Sequence, residues 1–136
     1  IMNKSDQDII TFTAALSNEL LPDYLRICTL RNRGILYLDK KMYQMAIDDF
    51  TPAIEISEPN KIFKNWNGTR VELNKIRAKL YFFRGIAFIK IQNLDKGIND
   101  LKESLGLYPK IIENNKFELN ILSPDIRGLI ASFLEI

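Results

Sequence analysis

Apolar residues recur at three- and four-residue spacing along nearly the whole chain, the period of an amphipathic helix. Ile9, Ile10, Phe12, Leu16 and Leu20 mark a first helix over 6–21, with Ser5 or Asp6 as its cap. Pro22 suits the first turn of a second helix, where its missing N–H costs nothing. That helix runs to about Leu38 and stops at the polar turn Asp39-Lys40-Lys41. A third spans Tyr43 to Ile56 and ends before Glu58-Pro59. Residues 58–68 read as a loop carrying Trp66, Asn67 and Gly68. A long helix follows from Thr69 to about Ile91, and another from Leu94 to Leu107. Ser123-Pro124-Asp125 opens a closing helix over 123–136, with Ile126, Leu129, Ile130, Phe133 and Leu134 as its apolar stripe. The pattern predicts an all-α fold.

One feature of the pattern repeats. "LRNRGILYLDKKMYQMAIDDF" (30–50) and "LYFFRGIAFIKIQNLDKGINDL" (80–101) each carry Arg-Gly before an apolar run, then a polar turn, then a second amphipathic run. Aligned on Gly34 and Gly85, Tyr37 matches Phe88, Tyr43 matches Leu94, and Ala46 matches Gly97. Phe50 then matches Leu101, Ala53 matches Ser104, and Pro59 and Pro109 close the two stretches. An interior glycine costs a helix about 1 kcal/mol against alanine, so its presence twice needs a reason. The small residue twelve positions after each glycine predicts close helix–helix approach: Gly34 against Ala46 and Gly85 against Gly97.

This register resembles the tetratricopeptide repeat, whose pattern runs Leu-Gly-x-x-Tyr, then Ala-x-x-x-Phe, then Pro. The resemblance covers 27–109, with Arg33 and Arg84 in place of the leucine before each glycine. It implies antiparallel helical hairpins stacked as a short right-handed superhelix. Residues 1–136 would form one such domain: a preceding helix (6–21), a repeat (22–57), the loop (58–68), a repeat with an extended first helix (69–109), and a capping helix (123–136). It also implies a concave groove lined by the first helix of each hairpin. Helical periodicity then places Cys28, Arg31, Asn32, Ile35 and Leu38 on that face of one repeat, and Lys79, Phe82, Phe83, Ile86 and Lys90 on that of the next. The peptide-binding set expected from this is Arg31, Asn32, Ile35, Lys79, Phe82, Phe83, Ile86 and Lys90, with apolar anchoring on Ile35, Phe82, Phe83 and Ile86.

"LRNRG" and "AKLYFFRG" also resemble stretches of the co-chaperones that grip the C-terminal carboxylates of heat-shock chaperones. Asn32 stands at the clamp asparagine of that family and Lys79 at the clamp lysine, but Phe83 stands where an arginine belongs. The resemblance therefore implies a protein partner, a peptide segment such as a chaperone tail, with weak affinity for a carboxylate. The alternative reading is a structural segment of a larger assembly that binds through its convex face or ends.

Composition narrows the chemistry. There is no histidine among the 136 residues, which removes the commonest general base and metal ligand. The single cysteine, Cys28, excludes an internal disulfide and a zinc-binding cysteine cluster. Asp48 and Asp49 point about 100° apart on a helix and make no acid/base dyad. No glycine-rich phosphate loop is present. The expected reading has no catalytic residues, no metal and no cofactor. A net charge of +2 is too small to argue for nucleic acid. The basic segment 61–79, with Phe63 and Trp66 interleaved, keeps RNA binding as a minority reading. No apolar run reaches the roughly 20 residues of a membrane span, so the expected location is cytoplasmic. Asn67-Gly68-Thr69 fits the glycosylation acceptor pattern, a short motif that also arises by chance.

Overall fold

The computed structural model describes residues 2–62, 66–120 and 123–134. They are all-α: among the described residues there is no strand, and no helix is long and apolar enough to cross a membrane. The chain falls into two compact units, Ile1–Thr69 and Arg70–Ile136. The division lies where the sequence pattern separates the two repeats.

The first unit holds α1 (Lys4–Leu16), α2 (Asp23–Asp39), α3 (Tyr43–Ile56) and the single turn α4 (Pro59–Ile62). α1 begins earlier and ends sooner than its apolar spacing predicts. Asn3 is the cap, its side chain accepting from the Asp6 N–H at 2.9 Å, in place of Ser5 or Asp6. At the other end the Arg26 guanidinium donates to the carbonyls of Leu16 (3.2 Å) and Asn18 (2.7 Å). Those bonds satisfy carbonyls at the helix C-terminus and turn the chain towards α2. Leu20, counted in the apolar stripe, is left 88% exposed. α4 likewise occupies part of the segment expected to be a loop. Pro52 lies inside α3, where it removes the bond to the Asp48 carbonyl. Burial of Phe50, Ala53 and Ile54 around it holds the helix together.

The second unit holds α5 (Arg70–Lys90), α6 (Leu94–Leu107), the short turns α7 (Ile111–Asn114) and α8 (Lys116–Leu119), and α9 (Pro124–Leu134). Within α9 the side chains of Leu129 and Phe133, part of the expected stripe, lie outside the described residues; Ile130 is buried.

The two hairpins, α2–α3 and α5–α6, repeat one another bond for bond at the turn. Lys41 and Gln92, each seven residues past its glycine, take positive φ of 63° and 67°. The N–H of Lys41 bonds to the Leu38 carbonyl at 3.0 Å and that of Met42 to Tyr37 at 2.8 Å. Gln92 and Asn93 bond to Ile89 and Phe88, both at 2.9 Å. This is the left-handed helix stop of a Schellman motif, here without its usual glycine.

Each duplicated glycine is a packing contact, with different partners. A methyl group on Gly34 would meet the Phe50 ring first, 2.6 Å from its Cε1. Phe50 fills the space because it is fully buried on the opposite helix. Gly85 does approach Gly97: a methyl there would lie 2.9 Å from the Gly97 carbonyl oxygen, while one on Gly97 would collide with Ile89. Ser104, standing where the first hairpin has Ala53, donates its hydroxyl to the buried Ala78 carbonyl at 2.8 Å.

Candidate functional site

In the first unit α1 is held against the hairpin by polar ties. Lys40 Nζ sits 2.6 Å from Asp6 Oδ1, and Arg33 Nη1 donates to Thr13 Oγ1 at 3.1 Å. No residue of α1 is fully buried, so the helix packs by half-covering its apolar side. The arrangement leaves a shallow cleft of about 240 Å³ lined by Asp8, Phe12, Asn32, Ile35 and Leu36. All five side chains are half-buried, open enough to be touched by a partner. The space is smaller than the enclosed pockets of roughly 300–1,000 Å³ that take small molecules. It suits a side chain of a larger partner. Phe12, Ile35 and Leu36 offer apolar contact. The Asn32 amide oxygen accepts from Arg31 Nε at 3.3 Å, leaving its NH2 group to donate elsewhere. Asp8 pairs with the largely exposed Lys4 at 3.4 Å, an interaction worth little in water.

Beneath this surface the hairpin is clamped by an ion pair. Arg33 binds Asp49 through two parallel bonds, Nε to Oδ2 at 2.8 Å and Nη2 to Oδ1 at 2.6 Å. The second unit repeats it: Arg84 Nε to Asp100 Oδ2 at 2.7 Å and Nη2 to Oδ1 at 2.8 Å. Arg84 also lies 5.5 Å from the ring centres of both Tyr81 and Phe88. The hydrogen bonds to Asp49 raise the Arg33 guanidinium above its ordinary value against the opposing effect of burial, and the Asp49 charge adds to the rise. Two-point Arg–carboxylate bonding fixes angle as well as distance, so each pair sets how its two helices meet. Asp48, by contrast, is exposed and accepts from Gln44 at 3.0 Å.

The expected peptide-binding residues divide. Arg31, Asn32 and Ile35 are half-buried on one face of α2, and Asn32 and Ile35 share the cleft. On α5, Lys79 and Lys90 are half-buried, with Lys79 Nζ lying 5.9 Å from the Phe83 ring centre. Phe82, Phe83 and Ile86 are instead core residues, exposed by 0%, 3% and 0%. Their expected role as surface anchors is corrected accordingly. A helix with apolar residues on several sides is one that the fold covers on several sides. Asp8, Phe12 and Leu36 were not among the expected site residues. For Phe12 the signal was the apolar spacing of 6–21, which marks a helix without saying which face stays open.

Part of the basic segment 61–79 is engaged in structure. Arg77 is buried beside Tyr81, and Lys75 Nζ sits 5.3 Å from the Tyr108 ring centre. Trp66 leans on Tyr24, with ring centres 5.6 Å apart, and its indole N–H donates to the Thr69 carbonyl at 3.1 Å. Phe63 and Lys64 lie outside the described residues. Cys28 is half-buried. Among the described residues no group of three or more Cys, Asp or Glu could hold a metal ion. In comparisons with known proteins, no family model, no curated protein and no solved structure matches this chain.

Proposed function

We propose that this chain is a protein-interaction module of tetratricopeptide-like hairpins, and that it binds an apolar side chain of a partner protein in the cleft of its first unit. The observation that carries the reading is the meeting of Asn32 and Ile35 with Phe12 and Leu36 in one half-open cleft. The duplicated hairpin supports the family reading: glycine contact, left-handed turn and Arg–Asp clamp recur at matching offsets in both units. With Phe82, Phe83 and Ile86 in the core, the contact surface rests on Asn32, Ile35 and the side chains of α1. A carboxylate tail gains little here, because Asp8 contributes a negative charge to the cleft. Phosphate binding finds no support in lysines and arginines already set against rings or buried.

The test is selection from a displayed peptide library on the purified chain, followed by titration of the selected peptides into variants. Asn32→Ala and Ile35→Ser should each weaken binding by about tenfold or more, roughly 1.4 kcal/mol. Helix content should stay constant, and Lys116→Glu, on the exposed side of α8, should bind as the parent does. Equal loss in all three variants would reject the cleft. Selection of peptides that bind all variants equally would favour another face, as a structural segment of an assembly would show.

A further inference from the structure

We propose that Asn67 is a site of spontaneous covalent modification, deamidating through a cyclic imide formed with the backbone nitrogen of Gly68. Asn67-Gly68 is the one Asn-Gly pair in the chain. Both residues lie outside helices, in the segment between α4 and α5, and Asn67 is exposed. Among the described residues no hydrogen bond occupies the Gly68 N–H. The Trp66 indole donates to the Thr69 carbonyl across the pair, which holds the ends of this short stretch together.

The chemistry follows from those positions. A nitrogen in the next peptide bond can reach the Asn67 side-chain carbonyl only if ψ is free to turn and nothing shields the nitrogen. Glycine lacks the Cβ that would crowd both requirements. The Gly68 nitrogen, losing its proton to hydroxide, attacks Cγ of Asn67. The new N–Cγ bond forms, the Cγ–Nδ2 bond breaks, and the departing nitrogen takes a proton from water, leaving as ammonia and returning the hydroxide. Water then opens the five-membered imide at either carbonyl. Opening at Cγ gives aspartate; opening at the main-chain carbonyl gives isoaspartate, with the backbone routed through the side chain. Either product adds a carboxylate, lowering the formal net charge of +2 by one. The isoaspartate also inserts one extra backbone carbon at the boundary between the two compact units.

Six of the other asparagines are protected in different ways. Asn32, Asn74 and Asn99 lie in helices, whose dihedrals hold the next nitrogen away from the side chain. Asn3 and Asn93 use their side-chain oxygens as helix caps. Asn18 is exposed and non-helical, but Glu19 follows it and its Oδ1 accepts from Leu20 N at 3.0 Å.

The experiment incubates the purified chain at neutral and mildly alkaline pH, then maps its peptides by mass and labels isoaspartate with an isoaspartyl methyltransferase. Asn67 should convert about tenfold or more faster than Asn18 or Asn99, a rate ratio that needs only a small difference in barrier. The rate should rise with pH, and both products should appear. Gly68→Ala should slow conversion by a similar factor of about ten. The chain unfolded in urea serves as the reference. If Asn67 converts in urea but keeps its amide in the folded protein, the fold holds the pair out of reach and the proposal fails. It fails equally if Asn67 is no faster than Asn18 in the folded chain.

Discussion

Removing either partner of the Arg33–Asp49 pair should cost far more than removing both. The Asp49 side chain is only 5% exposed, whereas Arg33 keeps 19% and has Thr13 as a further acceptor. Arg33→Met strands a buried carboxylate, a change that costs about 3–5 kcal/mol. Asp49→Leu strands a guanidinium that still reaches water and Thr13, so its cost is nearer 1–3 kcal/mol. The double variant buries no charge, and replacing a buried pair with apolar groups of similar size is neutral or better. It should therefore fall within about 1 kcal/mol of the parent, giving a coupling of about 3 kcal/mol or more in the cycle. Urea unfolding followed by circular dichroism measures each variant, provided the slope stays constant. The raised guanidinium value fixes the pH behaviour. Stability from Arg33 is fully present below the ordinary arginine value and is lost only as pH climbs through the raised one. The parent should therefore show no change on this residue's account across the neutral range. If the two single losses simply added in the double variant, the pair would not be clamping the hairpin.

Two further outcomes follow from the geometry. Lys41→Gly and Gln92→Gly should each stabilise the chain by about 0.5–1 kcal/mol, because a side chain at positive φ carries a penalty that glycine escapes; a lower melting temperature would mean the side chains compensate elsewhere. Phe83→Arg, which the clamp resemblance suggests as a gain of carboxylate binding, should instead destabilise by about 3–5 kcal/mol, the scale of deleting a core aromatic; an unchanged melting temperature would show that Phe83 is not the core residue its burial indicates.

The sequence by itself determined the all-α class, the two hairpins and the second, third, fifth and sixth helices to within a residue or two. Helical periodicity is local, and the apolar spacing of 23–56 and 70–107 is strong enough to carry it. It also held the Arg–Asp clamp in plain view: an arginine before each glycine and an aspartate sixteen residues after each arginine. Spacing alone could not say that these side chains meet, because the two residues sit on different helices. The start of α1 was set locally by the Asn3 cap, but its end depended on Arg26 reaching back to Leu16 and Asn18, contacts across the turn between two helices. Tertiary packing likewise decided that the Phe50 ring is what Gly34 meets first. It decided the site as well. Ile35, Phe82 and Ile86 are alike in the apolar pattern, yet one lines an open cleft and two are sealed in the core. A one-dimensional pattern records that a residue is apolar; only the neighbours brought by the fold determine whether it is covered.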